Sequence, residues 1–385
     1  MSKPENYIFI QDENSLKTLC KQLANEKWLA VDTEFVRDST YYPEFCLLQI
    51  GNADINACID VLSITDLSSV LDLIANPQCV KVFHAASQDL ELFYYLQGEV
   101  PQPVFDTQIA APLLGFPEQV GYASLVNQYL GIQIGKGQQR TDWSKRPLSQ
   151  AQLAYAAGDV AYLAQIYPKM LTKLEALGRL SWLDADLVKL VQTEKYELPI
   201  TDAWRRIKAT KKLKGKRLLA AQKLAAWREK VARSENKPRN WILRDEALID
   251  VANLLPKHHD DLQRVRNLKG RSGEKYYKTI LSEVASAVEE PLPSSPLEKT
   301  EKAISVDSAL VDLITALVQL RADQNEINAN VLASRKAIEQ YLRGDNNSPI
   351  LNGWRANIIG EDIKNMIEGK IALSIKNNQI AVSAL

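Results

Sequence analysis

Residues 28–51 read WLAVDTEFVRDSTYYPEFCLLQIG. An apolar run, Trp28 to Val31, passes straight into Asp32-Thr33-Glu34 and returns to Phe35-Val36. In a strand, residues two apart share a face. Asp32 and Glu34 therefore project together, while Val31, Thr33 and Phe35 point the other way. Two like charges side by side on a buried strand destabilise the fold unless something positive sits between them. A divalent cation removes that cost. For the pair taken alone, an exposed sheet edge is the competing explanation.

Working outward, further β-like runs are YIFI (7–10), FCLLQIG (45–51), INACIDVL (55–62) and CVKVFHAA (79–86). Helical patterns cover Thr65 to Asn76, Gln88 to Leu96, Thr107 to Leu114, Ala123 to Leu130 and Ser149 to Leu177. Hairpin-like strands followed by mixed strand and helix predict an α/β or α+β layer domain over residues 1–200.

Two more acids stand out. Asp89 follows the strand CVKVF near the start of a helix, where an acid also suits the helix dipole. Tyr155 and Asp159 are four apart on an otherwise apolar helix, so they share a face. Tyr162 and Tyr167 read as packing residues. Asp32, Glu34, Asp89 and Asp159 together offer four hard oxygen donors. Cys20, Cys46, Cys58 and Cys79 are scattered, with no CxxC, and the chain has 3 histidines. That donor set favours Mg²⁺ or Mn²⁺ over zinc. Two such ions, about 3.5–4 Å apart, make a phosphodiester-cleaving site.

At these motifs the chain resembles the ribonuclease D family of DEDD 3′→5′ exonucleases. The resemblance rests on DTEF (32–35), FHAASQDLELF (83–93) and YAAGDVAYL (155–163), and covers nearly the whole chain. It implies a ribonuclease H-like fold. It implies that Asp32, Glu34, Asp89 and Asp159 bind metal and that Tyr155 positions the attacking water. Tyr-x-x-x-Asp marks the tyrosine subgroup; in the histidine subgroup a His would replace Ala154. FDTQIAAPLLG (105–115) and RTDWSKRPLS (140–149) are similar to further segments of the family. Phe35, His84, Arg140, Trp143 and Arg146 are the expected nucleic-acid contacts near the site. Core roles for His84 and Trp143 compete with that reading. Asp106 reads as a supporting acid or a helix N-cap.

Formal net charge is zero, but from Arg205 to Ile280 there are 22 Lys and Arg against 8 Asp and Glu. A basic module tied to an acidic remainder points to a polyanion partner for the first. A solvated helical surface is the alternative. Residues 201–290 read as short helices, with strong patterns at Lys212 to Arg233 and Arg244 to Leu255 and a turn at 267–270. The stretch LAAWREKVARSENKPRNWILRDEALIDVANLLPKH (224–258) resembles an HRDC domain, a small helical bundle that binds nucleic acid or positions a catalytic domain on it. Lys211, Lys212, Lys214, Lys216 and Arg217 are its expected phosphate contacts. Trp241 is expected to anchor its core, with base stacking as the alternative. Residues 291–303, rich in proline and serine, read as a linker. Residues 304–385 read as a second, diverged all-helical copy. An offset of 89 places Asn236, Ile242, Leu243 and Ile249 on Asn325, Val331, Leu332 and Ile338.

The expectation is thus an α/β exonuclease domain followed by two all-α HRDC bundles. The resemblance implies hydrolysis of RNA 3′ ends to 5′-mononucleotides with two divalent ions, on tRNA precursors and other small structured RNAs. A DNA exonuclease with the same site and a non-catalytic nucleic-acid-binding protein are the rivals. No apolar run approaches a membrane span, no signal pattern opens the chain, and the unpaired cysteines fit a reducing compartment. A cytoplasmic monomer is expected.

Overall fold

The computed structural model describes residues 6–135, 137–197, 199–265, 268, 275–292 and 306–385. The opening stretch forms strands β2 (Trp28–Val36) and β3 (Glu44–Gly51). They pair antiparallel from Ala30↔Gly51 to Val36↔Glu44, with a register shift between Glu34 and Phe35. Such a bulge bends a strand and re-aims its side chains, here where the acids lie. With β1 (Ile8–Ile10), β4 (Asn56–Ile59), β5 (Val80–Phe83) and β6 (Val104–Asp106), they form a six-stranded sheet in the order β1-β4-β3-β2-β5-β6. β3 runs antiparallel to both neighbours, and the other pairings are parallel.

Side-chain alternation sorts the sheet into two cores. Leu29, Val31, Leu48 and Ile50 face α1 (Glu13–Leu23), α2 (Ser68–Ala75) and α3 (Ser87–Gln97). The opposite face lies under α6 (Gln150–Ala176), which packs across β2, β3 and β4. A capping box between Ser149 and Gln152 starts that helix. Its approach to the sheet is close: a Cβ on Gly51 would stand 2.4 Å from the Ile55 carbonyl oxygen and 3.1 Å from a Val160 methyl. Between them in the chain, α4 (Thr107–Ala110) and α5 (Tyr122–Leu130) close one end of the sheet, and α7 (Asp184–Val191) follows α6. The sequence reading missed α1, which is polar except for four buried residues, and β6, which is three residues long.

The second region holds α8 (Gly215–Ser234), α9 (Arg239–Ile242), α10 (Asp245–Leu254) and the helices His259–Gln263 and Tyr277–Glu289. They enclose a core of their own that includes Leu224, Leu248, Val251 and Ile280. The turn expected at 267–270, apart from Leu268, and the linker from residue 293 onward lie outside the described residues.

The third region has helices Ser308–Gln324, Ala329–Leu332, Arg335–Leu342 and Glu361–Ile367. Elements of the second region recur in the third at an offset of 90, not at the expected 89. Arg239–Ile242 recurs as Ala329–Leu332. The residues that end these two turns match in backbone: Leu243 at φ −157°, ψ 119° and Ala333 at φ −156°, ψ 107°. At this offset the buried pairs Ala247/Ala337 and Leu248/Ile338 coincide.

The expectation of an all-helical third region fails at its end. Ile371–Lys376 and Gln379–Ala384 form an antiparallel hairpin. Asn377 and Asn378 both have positive φ, the tight-turn geometry that asparagine tolerates. No helix among the described residues is long and apolar enough to cross a membrane.

Candidate metal centre and nucleic-acid cleft

Asp32 and Glu34 leave β2 on the α6 side, and Asp159 comes down to meet them from α6. Each offers one carboxylate oxygen, and these three atoms lie within 4.8 Å of one another. Asp89, in the first turn of α3, is buried and lines the same cleft. It is not part of the three-oxygen group; its carboxylate accepts a hydrogen bond from the Thr33 hydroxyl. Thr33, on the face opposite Asp32, thus ties the strand to the helix that carries Asp89.

The turn between β5 and α3 is fixed by Asp106. Its carboxylate accepts from the backbone N–H groups of Ala85 at 3.0 Å, Ala86 at 2.9 Å and Gln108 at 2.8 Å. Ala85 has φ +63°, a left-handed conformation that a non-glycine residue adopts only when held. Asp106 is therefore both a helix N-cap and a support for the Asp89 turn.

The electrostatics fit a cation. Burial, then the charges of Asp159, Asp89 and Glu34, pushes the Asp32 carboxyl well above the usual carboxylate range. Burial, then Asp159 and Asp89, pushes Glu34 up to about 9. Burial raises Asp89 and Asp159 to about 7, against opposing hydrogen bonds from Thr33 and Tyr155 respectively. Crowded carboxyls in this state take up protons or a cation. All donors are oxygen, which suits a hard divalent ion. The residues present therefore fit such a group.

Tyr155 and Asp159 share one face of α6, and the phenol hydrogen-bonds the carboxyl. Burial and the charges of Asp159, Glu34 and Asp32 push the phenol far up, so it stays protonated. With Phe35, His84 and Gln139, these residues line a cleft of about 520 Å³. His84 contacts the Thr107 hydroxyl through Nδ1 at 2.9 Å.

Other expected contacts divide. Arg140 is exposed, next in sequence to Gln139. Trp143 is 2% exposed and packs with Leu47, Leu148 and Leu153, so it is a core residue and not a stacking platform. Its ring lies 6.2 Å from that of Tyr155, which it backs. Arg146 is also corrected. Its guanidinium forks onto the buried Asp60, at 2.6 Å and 2.9 Å, and onto the carbonyls of Cys46 and Trp143, which leaves it to pin a loop. Lys211, Lys212, Lys214 and Arg217 are exposed on the second region, whereas Lys216 is half-buried and donates to the Glu290 carbonyl. Trp241, expected in the core, is 56% exposed. The sequence reading missed Thr33 and Asp60, whose partners are 56 and 86 residues away.

Comparison with known proteins places this geometry. Residues 7–175 match the 3'-5' exonuclease family and residues 218–284 the HRDC domain. The chain is 37% identical to the Ribonuclease D of Bartonella henselae, over 98% of this chain and 94% of that protein. It is 38% identical to the Ribonuclease D of Zymomonas mobilis, over 98% of both. Among solved structures, that of Escherichia coli RNase D, described as an exoribonuclease involved in structured RNA processing, superposes with a TM-score of 0.80. It is 35% identical and covers 94% of this chain and 99% of that one. The catalytic core of RRP6 from Trypanosoma brucei, at 22% identity and a TM-score of 0.55 over 74% of this chain and 80% of that one, shares the fold.

Proposed function

The chain belongs to the ribonuclease D family of 3′→5′ exoribonucleases, and from that premise we propose that it trims the 3′ ends of tRNA precursors and other small structured RNAs, releasing 5′-mononucleotides. The observation that carries this reading is the convergence of Asp32, Glu34 and Asp159 beside Tyr155, with Asp89 in the same cleft.

In this reading Asp32, Glu34, Asp89 and Asp159 hold two divalent ions, Mg²⁺ or Mn²⁺. When bound, such ions offset the charge of the acids and act as Lewis acids toward the phosphodiester. Tyr155, protonated on α6, orients the attacking water. The water oxygen bonds to the terminal phosphorus and the bond to the penultimate 3′ oxygen breaks. One nucleoside 5′-monophosphate leaves, and the shortened RNA keeps a 3′-hydroxyl. Tyr155 four before Asp159, with Ala154 rather than a histidine five before it, supports assignment to the tyrosine subgroup. Phe35 and His84, on the cleft wall, contact the terminal nucleotide, and Arg140 lies near the entering strand. A narrow cleft for a terminal 3′-OH needs a few unpaired nucleotides, so a stable duplex halts the enzyme.

We assign residues 1–200 to the catalytic domain, 201–290 to a first HRDC bundle, 291–303 to a linker and 304–385 to a second HRDC copy that acts through packing. The shared backbone turn at an offset of 90 supports the second copy. Exposed Lys211, Lys212, Lys214 and Arg217 track the RNA backbone, so binding weakens with salt. The enzyme works as a cytoplasmic monomer. The deciding experiment uses end-labelled tRNA carrying a 3′ trailer, with and without Mg²⁺, beside a matched DNA strand. Stepwise Mg²⁺-dependent shortening of the RNA is expected, with Asp32→Ala inactive but still binding RNA. Equal or faster loss of the DNA, or full activity of Asp32→Ala, overturns the reading.

A further inference from the structure

Gln49 stands directly opposite Asp32 in the β2–β3 ladder. Opposite residues of an antiparallel pair project from the same face, with Cβ atoms about 5 Å apart. That face is roofed by α6, whose Ala156 and Ala157 are fully buried there. Gln49 is itself 0% exposed, and neither its amide nitrogen nor its amide oxygen has a hydrogen-bond partner among the described residues.

The neighbours do not relieve it. Cys58, its facing residue on β4, directs its thiol toward the Leu153 carbonyl. Asn56 donates its amide to the Ala157 carbonyl at 3.1 Å, and its own Oδ1 is also unpaired. A buried amide without partners costs stability, which an aliphatic side chain of similar size would not. An unpaired group of this kind in a native interior calls for an explanation, and a catalytic role is one of those available.

The acids supply one. Asp89 accepts from Thr33, and Asp159 hydrogen-bonds Tyr155. No described side chain donates to Asp32. An acid whose one donor is the Thr33 backbone N–H, with no side chain to orient it, thus faces a buried donor without an acceptor. We propose that Gln49 is the positioning residue of Asp32: its amide N–H donates to the Asp32 carboxylate in the charged, cation-holding state and fixes its orientation. The inference rests on the reading of Asp32 as a metal ligand. Partners one layer behind a ligand set its geometry, and losing one weakens metal binding about 10–100-fold.

The test is Gln49→Met in the full-length protein, with Mn²⁺ titrated calorimetrically and thermal melts recorded in EDTA. The expected result is a Kd for Mn²⁺ raised about 10–100-fold, with a melting temperature in EDTA equal to or above that of the wild type. The second half follows because the substitution removes an unpaired amide. Unchanged Mn²⁺ affinity, a lowered melting temperature in EDTA, or loss of a cooperative melt overturns the proposal by making Gln49 a packing residue. Asp32→Asn is the control. If it binds Mn²⁺ as the wild type does, the ligand reading falls and Gln49's role falls with it. If Asp32→Asn loses Mn²⁺ while Gln49→Met retains wild-type affinity, only the Gln49 inference falls.

Discussion

Tyr41, in the turn between β2 and β3, donates its hydroxyl hydrogen bond to Glu229 of α8, 188 residues further along the chain. Glu229 is 1% exposed and also accepts from Arg239 Nε at 2.5 Å. Close by, Asn236 Oδ1 accepts from the backbone N–H groups of Tyr41 and Tyr42, each at 3.1 Å. The first helical bundle is thereby fastened to the segment that leaves the acid-bearing strand. Its pose relative to the cleft is set by side chains on both sides of the junction.

That junction titrates. Burial pushes the Glu229 carboxyl up, but hydrogen bonds from Arg239 and Tyr41 and the charges of Arg239 and Arg233 hold it at about 2, against 4.5 for an ordinary glutamate. A carboxyl depressed by folding contributes stability that is fully present above its unfolded value and is lost as pH falls through its folded one. Glu229→Gln should therefore lower stability near neutral pH by about 3 kcal/mol, from the free-energy equivalent of the shift. The gap to the wild type should close between pH 4.5 and about 2. Melting curves of both proteins across that window measure it, and a gap that stays constant with pH refutes the assignment.

The third region is held differently, by a core shared with the catalytic layer. Ile314, Leu317 and Ile338 belong to one apolar cluster with Leu125, Ile166 and Met170. Trp182 stacks on Trp354, centroids 4.5 Å apart and planes 4° from parallel. Arg179 bridges the Leu113 and Asn325 carbonyls. Trp354→Ala should cost about 3–5 kcal/mol, with Trp354→Phe milder because a ring remains to stack. Denaturant titration should show a lower midpoint at unchanged slope. A shared core predicts that the catalytic layer and third region unfold together. A separate early transition of the third region would contradict that.

The sequence carried the acid-bearing strand in full because its apolar run and its charges are both local: β2 spans the nine residues from Trp28 to Val36 that the pattern marked. Asp89, Tyr155 and Asp159 were legible for the same reason, each lying inside a recognisable motif. What was hidden depends on partners distant in the chain. Nothing near Arg146 announces Asp60, and nothing near Tyr41 announces Glu229. Trp143 and Trp241 exchanged roles, one buried and the other exposed, because a tryptophan's own neighbours do not say which side of a bundle it faces. The repeat offset slipped by one since apolar identities match loosely, whereas backbone turns do not. Lys81, on β5 and fully buried, would never be placed in a core from its type; three carbonyls, of Asn76, Cys79 and Gln102, satisfy its ammonium at 2.6–2.7 Å.

Tyr155 has a narrow expected phenotype. Its phenol lies among the acids and stays protonated, so Tyr155→Phe removes one hydroxyl from the cleft and leaves the ring packed near Trp143. The rate kcat should fall about 10²–10³-fold, as for loss of one preorganised donor. KM and melting temperature should change little if, as proposed, the hydroxyl acts on the reacting water and not on the bound strand. A raised KM at constant kcat would make it a binding residue.

The crowded acids predict that a divalent ion stabilises the fold. A ligand that binds only the native state, at 100 times its Kd, adds about 2.7 kcal/mol. Thermal melts with increasing Mg²⁺ should shift upward in the wild type and not in Asp32→Asn. Equal shifts in both would show that the ion binds elsewhere.

Trp241 separates stability from recognition. It is 56% exposed, beside Arg239 on α9, and no core cluster among the described residues includes it. Trp241→Ala should change stability by less than about 0.5 kcal/mol, the usual range for an exposed site. If the ring stacks on a base of the bound strand, the same substitution should weaken binding by about 1–3 kcal/mol, which is roughly a factor of 5 to 150. Anisotropy titrations of a labelled oligoribonucleotide read this directly. Replacing Lys211 and Lys212 by alanine should instead flatten the salt dependence of binding if, as proposed, those side chains meet phosphates rather than bases. Unchanged affinity in Trp241→Ala would leave the bundle's contact with RNA to its cations alone.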